Sequence, residues 1–142
     1  MREILFRSKR TDNGEWVEGY FCRKYFPELP HDRCVIQYKT EYTKEWRPDY
    51  MVAEVISETV GQFTGLLDKN GKKIFEGDYC RVTRHCILCY GSITFIKGSF
   101  WFDEFNTDSV LELSKLEINN FEIEVIGNIH DNPEFLKEGV EE

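Results

Sequence analysis

The chain has 142 residues, 41% of them hydrophobic, with eleven Phe, seven Tyr and three Trp, and a formal net charge of −8 at neutral pH. That length suits one compact domain or two small β units sharing a core, and the aromatic content excludes a disordered chain. No run approaches the roughly 20 apolar residues of a membrane span, and the opening MREILFRSKR holds no signal-peptide core, so a soluble, cytoplasmic protein without a membrane partner is expected.

In chain order, period-two alternation outweighs helical period nearly everywhere. A short strand over residues 4–6, the turn Asp12-Asn13-Gly14 and a return strand over 16–21 predict an N-terminal hairpin. Pro27 and Pro30 mark a loop, 34–38 alternates as a third strand, and Pro48 interrupts a polar stretch before a strand resumes over 50–56. Gly61–Leu67 is strand-like, Asp68-Lys69-Asn70-Gly71 has the composition of a tight turn, and 72–75 returns from it. Gly71 is expected in the left-handed conformation that a side chain resists. Gly77-Asp78 punctuates before a strand over 79–83. After a short loop, strands over 91–96 and 99–102 flank the two-residue hairpin signal Lys97-Gly98. Phe121, Ile123 and Val125 alternate with Glu122 and Glu124 as a strand with one wet face. A helix is expected only at the end, over 133–138, where Asp131 or Asn132 can cap it and Pro133 fits its first position.

Charge divides unevenly along this order. Residues 1–60 hold ten Lys/Arg against eleven Asp/Glu, 61–102 hold six against three, and 103–142 hold two against twelve. The last segment therefore stands at −10 and everything before it at +2. Asp103, Glu104, Asp108, Glu112, Glu117, Glu122 and Glu124 predict a solvated acidic surface that repels polyanions and keeps the protein soluble or meets a basic partner.

The four glycines of residues 60–78 invite comparison with a phosphate loop, but that loop needs four residues between Gly and Gly-Lys, a following Ser or Thr, and a helix to open. Here Gly65 and Gly71 enclose five residues, Lys73 follows Lys72, and a β run comes next. The glycines read as folding punctuation. His85-Cys86-Ile87-Leu88-Cys89 contains a Cys-x2-Cys pair, with Cys80 or His85 as candidate third ligand, yet a structural zinc site wants four ligands and usually a second close pair. Cys22 and Cys34 lie too far apart to supply one, and His31 is isolated. Five cysteines, an odd number, predict reduced thiols, and neither metal nor cofactor is expected.

Catalytic patterns are sparse. His31, His85 and His130 are widely separated, no Gly-x-Ser-x-Gly elbow occurs, and Asp68 and Asp78, an acid/base pair on paper, each have a turn or strand-entrance reason to be where they are. Arg81, Arg84 and Lys97 beside Phe100 and Trp101 offer a nucleic-acid alternative, basic and stacking residues on neighbouring strands.

Thr59-Val60-Gly61-Gln62-Phe63-Thr64-Gly65-Leu66, then Asp68-Lys69-Asn70-Gly71-Lys72 and Ile74-Phe75-Glu76-Gly77-Asp78, closely resemble the signature of the YopX family of phage and prophage proteins. The start, Arg2 to Arg7, and the end, Val125 to Glu134, resemble that family's termini. The resemblance implies a β-rich protein whose C-terminal part is similar to an SH3-like barrel. It supplies no catalytic residues, and Gly61, Gln62, Thr64, Gly65, Asp68, Gly71, Gly77 and Asp78 are expected to be structural. The combined expectation is an all-β chain, an N-terminal β unit over 1–58 and a small SH3-like barrel over 59–142 with a short C-terminal helix. Its expected role is that of a non-enzymatic accessory module in a bacterial host cell, binding a host or phage protein, with self-association open. A nucleic-acid-binding module using 61–102 and a hydrolase with an undetected site are the alternatives.

Overall fold

The computed structural model describes residues 2–25, 27–29, 32–39 and 50–135, and the chain is all-β apart from short helical turns. It divides into two compact units, Met1–Phe63 and Thr64–Glu142, the division falling inside strand β5.

The first unit is an antiparallel meander of β1 (Phe6–Lys9), β2 (Trp16–Lys24), β3 (Arg33–Lys39) and β4 (Tyr50–Glu54), in spatial order β4-β3-β2-β1. Gly61 and Gln62 of β5 (Gly61–Leu67) pair with Arg7 and Phe6 on the free side of β1. Gly14, at φ 71°, closes the β1–β2 turn by donating its N–H to the Arg10 carbonyl. Alternation turns Val17, Ile36 and Ala53 inward beside Val55, with Phe6 and Phe21 packed on them. Full burial of a side chain the size of Val or Ile stabilises the fold by about 1.5–3 kcal/mol.

The second unit places β6 (Lys73–Phe75) beside β5 and builds a five-stranded antiparallel sheet from β7 (Asp78–Arg84), β8 (Ile87–Ile96), β9 (Ser99–Glu104), β10 (Val110–Glu112) and β11 (Glu122–Asn128). The spatial order is β10-β9-β8-β7-β11, and these ladders do not close into a ring. Cys80, Val82, Ile93, Phe102 and Ile123 fill its core together with Ile74.

β1 lies at Phe6–Lys9 rather than over 4–6, and two further expectations need correction. A helix, α1 (Leu113–Ile118), interrupts the acidic segment: Leu113 and Leu116, three residues apart and both buried, give it an apolar stripe. Asn120 at φ 56° and the bond from Phe121 N–H to the Leu116 carbonyl, 3.0 Å, end it in a Schellman-type turn. The helix expected over 133–138 has Pro133 and Glu134 in a turn and Phe135 in helical conformation, and 136–138 lie outside the described residues. Secondly, β8 begins at Ile87, not at residue 91, because His85 and Cys86 form a two-residue hairpin turn between Arg84 and Ile87.

Candidate functional site

The family-like stretch comes first, because its polar groups are the densest candidates for chemistry. Asp68 Oδ1 accepts the backbone N–H groups of Asn70 and Lys72 at 2.8 and 2.9 Å, and Oδ2 accepts that of Val125 at 3.0 Å. Burial pushes this carboxyl up, but the N–H groups of Val125, Lys72 and Asn70 and the Lys72 charge outweigh it, and the net shift is downward. Asp78, itself buried, accepts the Phe75 N–H through Oδ2 at 2.8 Å. Thr64 donates its hydroxyl to the Ile74 carbonyl at 2.8 Å. Gly65, Gly71 and Gly77 all have positive φ, and Gly77 N–H donates to the Ile93 carbonyl at 2.8 Å. A shallow cleft of about 270 Å³ borders this turn, lined by Leu66, Leu67, Phe121 and Ile123 with Lys69 and Glu122. Lys69 Nζ lies 3.5 Å from Glu124, so this cation is already engaged.

The cysteine segment separates its two thiols. Cys86 is exposed in the hairpin turn, whereas Cys89 is buried on β8 opposite Val82. Burial, and then Glu104, push the Cys89 thiol up. His85 meets Phe121 edge-on at 5.7 Å, and Cys80 is buried in the core. Among the described residues no cluster of three or more His, Cys, Asp or Glu could hold a metal ion. The His130 backbone N–H donates to Asn128 Oδ1 at 3.0 Å, and His31 lies outside the described residues.

The remaining candidates are sorted by register in the second unit's sheet. Arg81 stands opposite Tyr90 and Glu124, Thr94 opposite Trp101, and Trp101 opposite Glu112, which puts all six on one face, away from Cys80, Val82, Ile93 and Phe102. Arg81 is joined to the Glu124 carboxylate, whose charge raises the guanidinium's already high pKa. Arg84 lies on the other face, its guanidinium 5.5 Å from the Phe121 ring. Lys97 occupies the β8–β9 turn at φ 49°, and Phe100 packs edge-to-face on Phe95 at 5.1 Å on the core side. The expected basic group is therefore dispersed: Arg81 and Trp101 share a face, while Arg84 and Lys97 do not join them.

The acidic residues are sorted in the same way. Asp103 and Glu112 share the outer face with Trp101, and Asp108 is exposed in the β9–β10 turn. Glu122 is exposed beside ion-paired Glu124, Glu104 stands on the opposite side near Cys89, and Glu117 lies on α1. Leu88, Ile96 and Val110 belong to the outer face by register and are 48%, 44% and 42% exposed. Midway along β8, buried Tyr79 stands opposite buried Ser92 and its ring lies 5.4 and 5.2 Å from those of Phe105 and Phe135, so Leu88 and Glu122 fall on one side of this row and Trp101, Ile96 and Glu112 on the other.

The family described as YopX protein matches residues 5–137. This chain belongs to the YopX family. The crystal structure of protein EF1440 from Enterococcus faecalis shares its fold at a TM-score of 0.56 and 23% identity, covering 96% of this chain and 99% of that one. None of the curated proteins matches it. In this YopX chain the signature residues Thr64, Asp68 and Asp78 spend polar groups on backbone partners, Lys69 pairs with Glu124, and the remaining candidates lie on the sheet. Sequence alone named Trp101, Asp103 and Glu112 separately. Their convergence comes from the β9–β10 ladder, and the one sequence signal for it was the period-two spacing of Trp101 and Asp103.

Proposed function

We propose that this YopX-family chain is a phage- or prophage-encoded accessory protein that acts in the bacterial cytoplasm by binding another protein through the outer face of the second unit's sheet. The observation that carries this reading is the exposure of Ile96 and Val110 beside Trp101 on a face edged by Asp103 and Glu112. Apolar side chains exposed together and rimmed by polar ones are a common form of interaction surface. The −10 balance of residues 103–142 selects for a basic partner. The pairing of Arg81 with Glu124 does not favour nucleic acid, and the commitment of Asp68 and Asp78 to backbone N–H groups does not favour hydrolysis.

The test is an affinity pull-down from an infected or lysogenic host with the full chain and its Ile96→Asp/Val110→Asp variant, each with and without nuclease. A captured protein that survives nuclease and is lost with the variant is expected. A second copy of the chain, recovered in the same face-dependent way, would make the partner itself. Duplex DNA is expected to bind no tighter than the nonspecific range, on the order of 10⁻⁴ to 10⁻⁶ M at physiological salt. Submicromolar, salt-sensitive DNA binding, or capture that nuclease abolishes, would replace this reading with a nucleic-acid one.

A further inference from the structure

We propose that Trp101, Glu112 and Asp103 form a seat for an arginine side chain presented by a basic segment of the partner protein. This rests on the outer face being the docking surface. Glu112 stands directly across the ladder from Trp101, which brings their Cβ atoms to about 4.5–5.5 Å. Asp103 follows Trp101 by two residues on the same face of β9, about 7 Å further along the strand. The indole is tethered: its Nε1–H donates to the Ile96 carbonyl at 3.1 Å. The carboxylate is tethered too, since the Ser99 hydroxyl donates to Glu112 Oε1 at 3.0 Å, an interaction that leaves Oε2 for a further donor.

Comparison with the protein's own use of tryptophan indicates what the seat takes. In the first unit, Arg7 and Lys9 stand over the Trp16 ring at 4.8 and 5.4 Å from its centre. Among the described residues none places a cation over Trp101, although its cross-strand neighbour is a carboxylate. Arg81, on the same face, is held by Glu124. An aromatic face with a tethered carboxylate across from it and a second acid further along matches a planar guanidinium, which can stack on the ring and present its forked N–H groups sideways to the acids. An ammonium group is a point charge and satisfies one of these demands at a time. Exposed Ile96 and Val110, each diagonal to Trp101, would receive apolar residues flanking the arginine.

The experiment uses the full chain and fluorescein-labelled capped peptides of alternating leucine and arginine, with lysine and glutamine versions of the same peptide, read by fluorescence anisotropy at low salt. The arginine peptide is expected to bind about tenfold more tightly than the lysine peptide, and the glutamine peptide more weakly still. Glu112→Gln and Trp101→Leu are each expected to weaken the arginine peptide about fivefold or more. Trp101→Phe, which keeps a ring at the same place, is expected to fall between wild type and Trp101→Leu, and separates loss of the seat from loss of folding. Equal affinity for the arginine and lysine peptides overturns the guanidinium assignment. Unchanged binding in both Glu112→Gln and Trp101→Phe overturns the seat. If Ile96→Asp/Val110→Asp abolishes partner capture while Glu112→Gln and Trp101→Phe leave it intact, the seat falls and the docking face stands. If none of these variants changes capture, both fall.

Discussion

The Asp68 carboxylate accepts the backbone N–H of Val125 at 3.0 Å, a bond between residues 57 apart in sequence. Its other oxygen holds Asn70 and Lys72, and the neighbouring Lys69 N–H donates to the Ile123 carbonyl at 2.8 Å. One side chain thus shapes the β5–β6 turn and supplies an acceptor to β11, which has β7 as its ladder partner on the opposite side. Asp68→Ala leaves three backbone donors short of an acceptor and is expected to cost about 3 kcal/mol, measured by urea denaturation. Asp68→Asn retains one acceptor oxygen and is expected to cost less.

Acid should act through the same residue. The folded-state pKa of Asp68 is depressed, so its contribution is fully present above the unfolded value of about 3.9 and is lost as pH falls through the lower folded value. Melting temperature followed from about pH 5 down to pH 2 is expected to fall less steeply in Asp68→Asn than in the wild type. Parallel curves would remove Asp68 from the acid response.

Two glycine-to-alanine substitutions separate backbone strain from collision. Gly71 sits at φ 81° and a Cβ there meets nothing within 4 Å, so Gly71→Ala is expected to cost about 1–2 kcal/mol from conformation alone. Gly91 has no such strain, but a Cβ would lie 2.3 Å from the Asp103 carbonyl oxygen on β9. Gly91→Ala must push β8 and β9 apart and is expected to cost more than Gly71→Ala in the same denaturation series.

The β7–β8 turn keeps two non-glycine residues in left-handed conformations, His85 at φ 46° and Cys86 at φ 68°. Such turns favour Asn-Gly, so His85→Asn with Cys86→Gly is expected to raise stability by about 1 kcal/mol. The thiols provide a second check. With a thiol reagent near pH 8, exposed Cys86 and Cys22 are expected to react at least about ten times faster than buried Cys80 and Cys89. Fast labelling of Cys89 would mean that the hairpin opens in solution.

Tyr79 is fully buried and its hydroxyl has no hydrogen-bond partner among the described residues. Burial, reinforced by the Glu134 charge, pushes its phenol up. Tyr79→Phe is expected to stabilise by about 1 kcal/mol, a shift of a few degrees in Tm. A lower Tm would reveal a buried partner for the hydroxyl. The wild-type contribution is present below about pH 10 and lost as pH rises through the raised folded-state value, a loss Tyr79→Phe would not show.

The residues by themselves determined the strands and turns whose causes are local. Asn13-Gly14, Asn70-Gly71 and Lys97-Gly98 mark turns because glycine tolerates positive φ, and alternation at Cys80 and Val82 or at Phe121 and Ile123 marks strands because side chains repeat every second residue. The small helix α1 was harder to read, since its apolar stripe consists of Leu113 and Leu116 within an acidic segment. His85-Cys86 was obscure for another reason: neither residue announces a left-handed turn. Tertiary structure alone decided which charges meet. By sequence, Arg81 belongs to a basic segment and Glu124 to an acidic one, yet antiparallel pairing of β7 with β11 sets them opposite each other and cancels them. The same kind of register gathers Trp101, Asp103 and Glu112, and the placement of the β5–β6 turn beside β11 lets Asp68 reach Val125. Composition and period are properties of neighbours along the chain, whereas a ladder fixes contacts between residues tens of positions apart, and a one-residue slip would send each of these side chains to the other face.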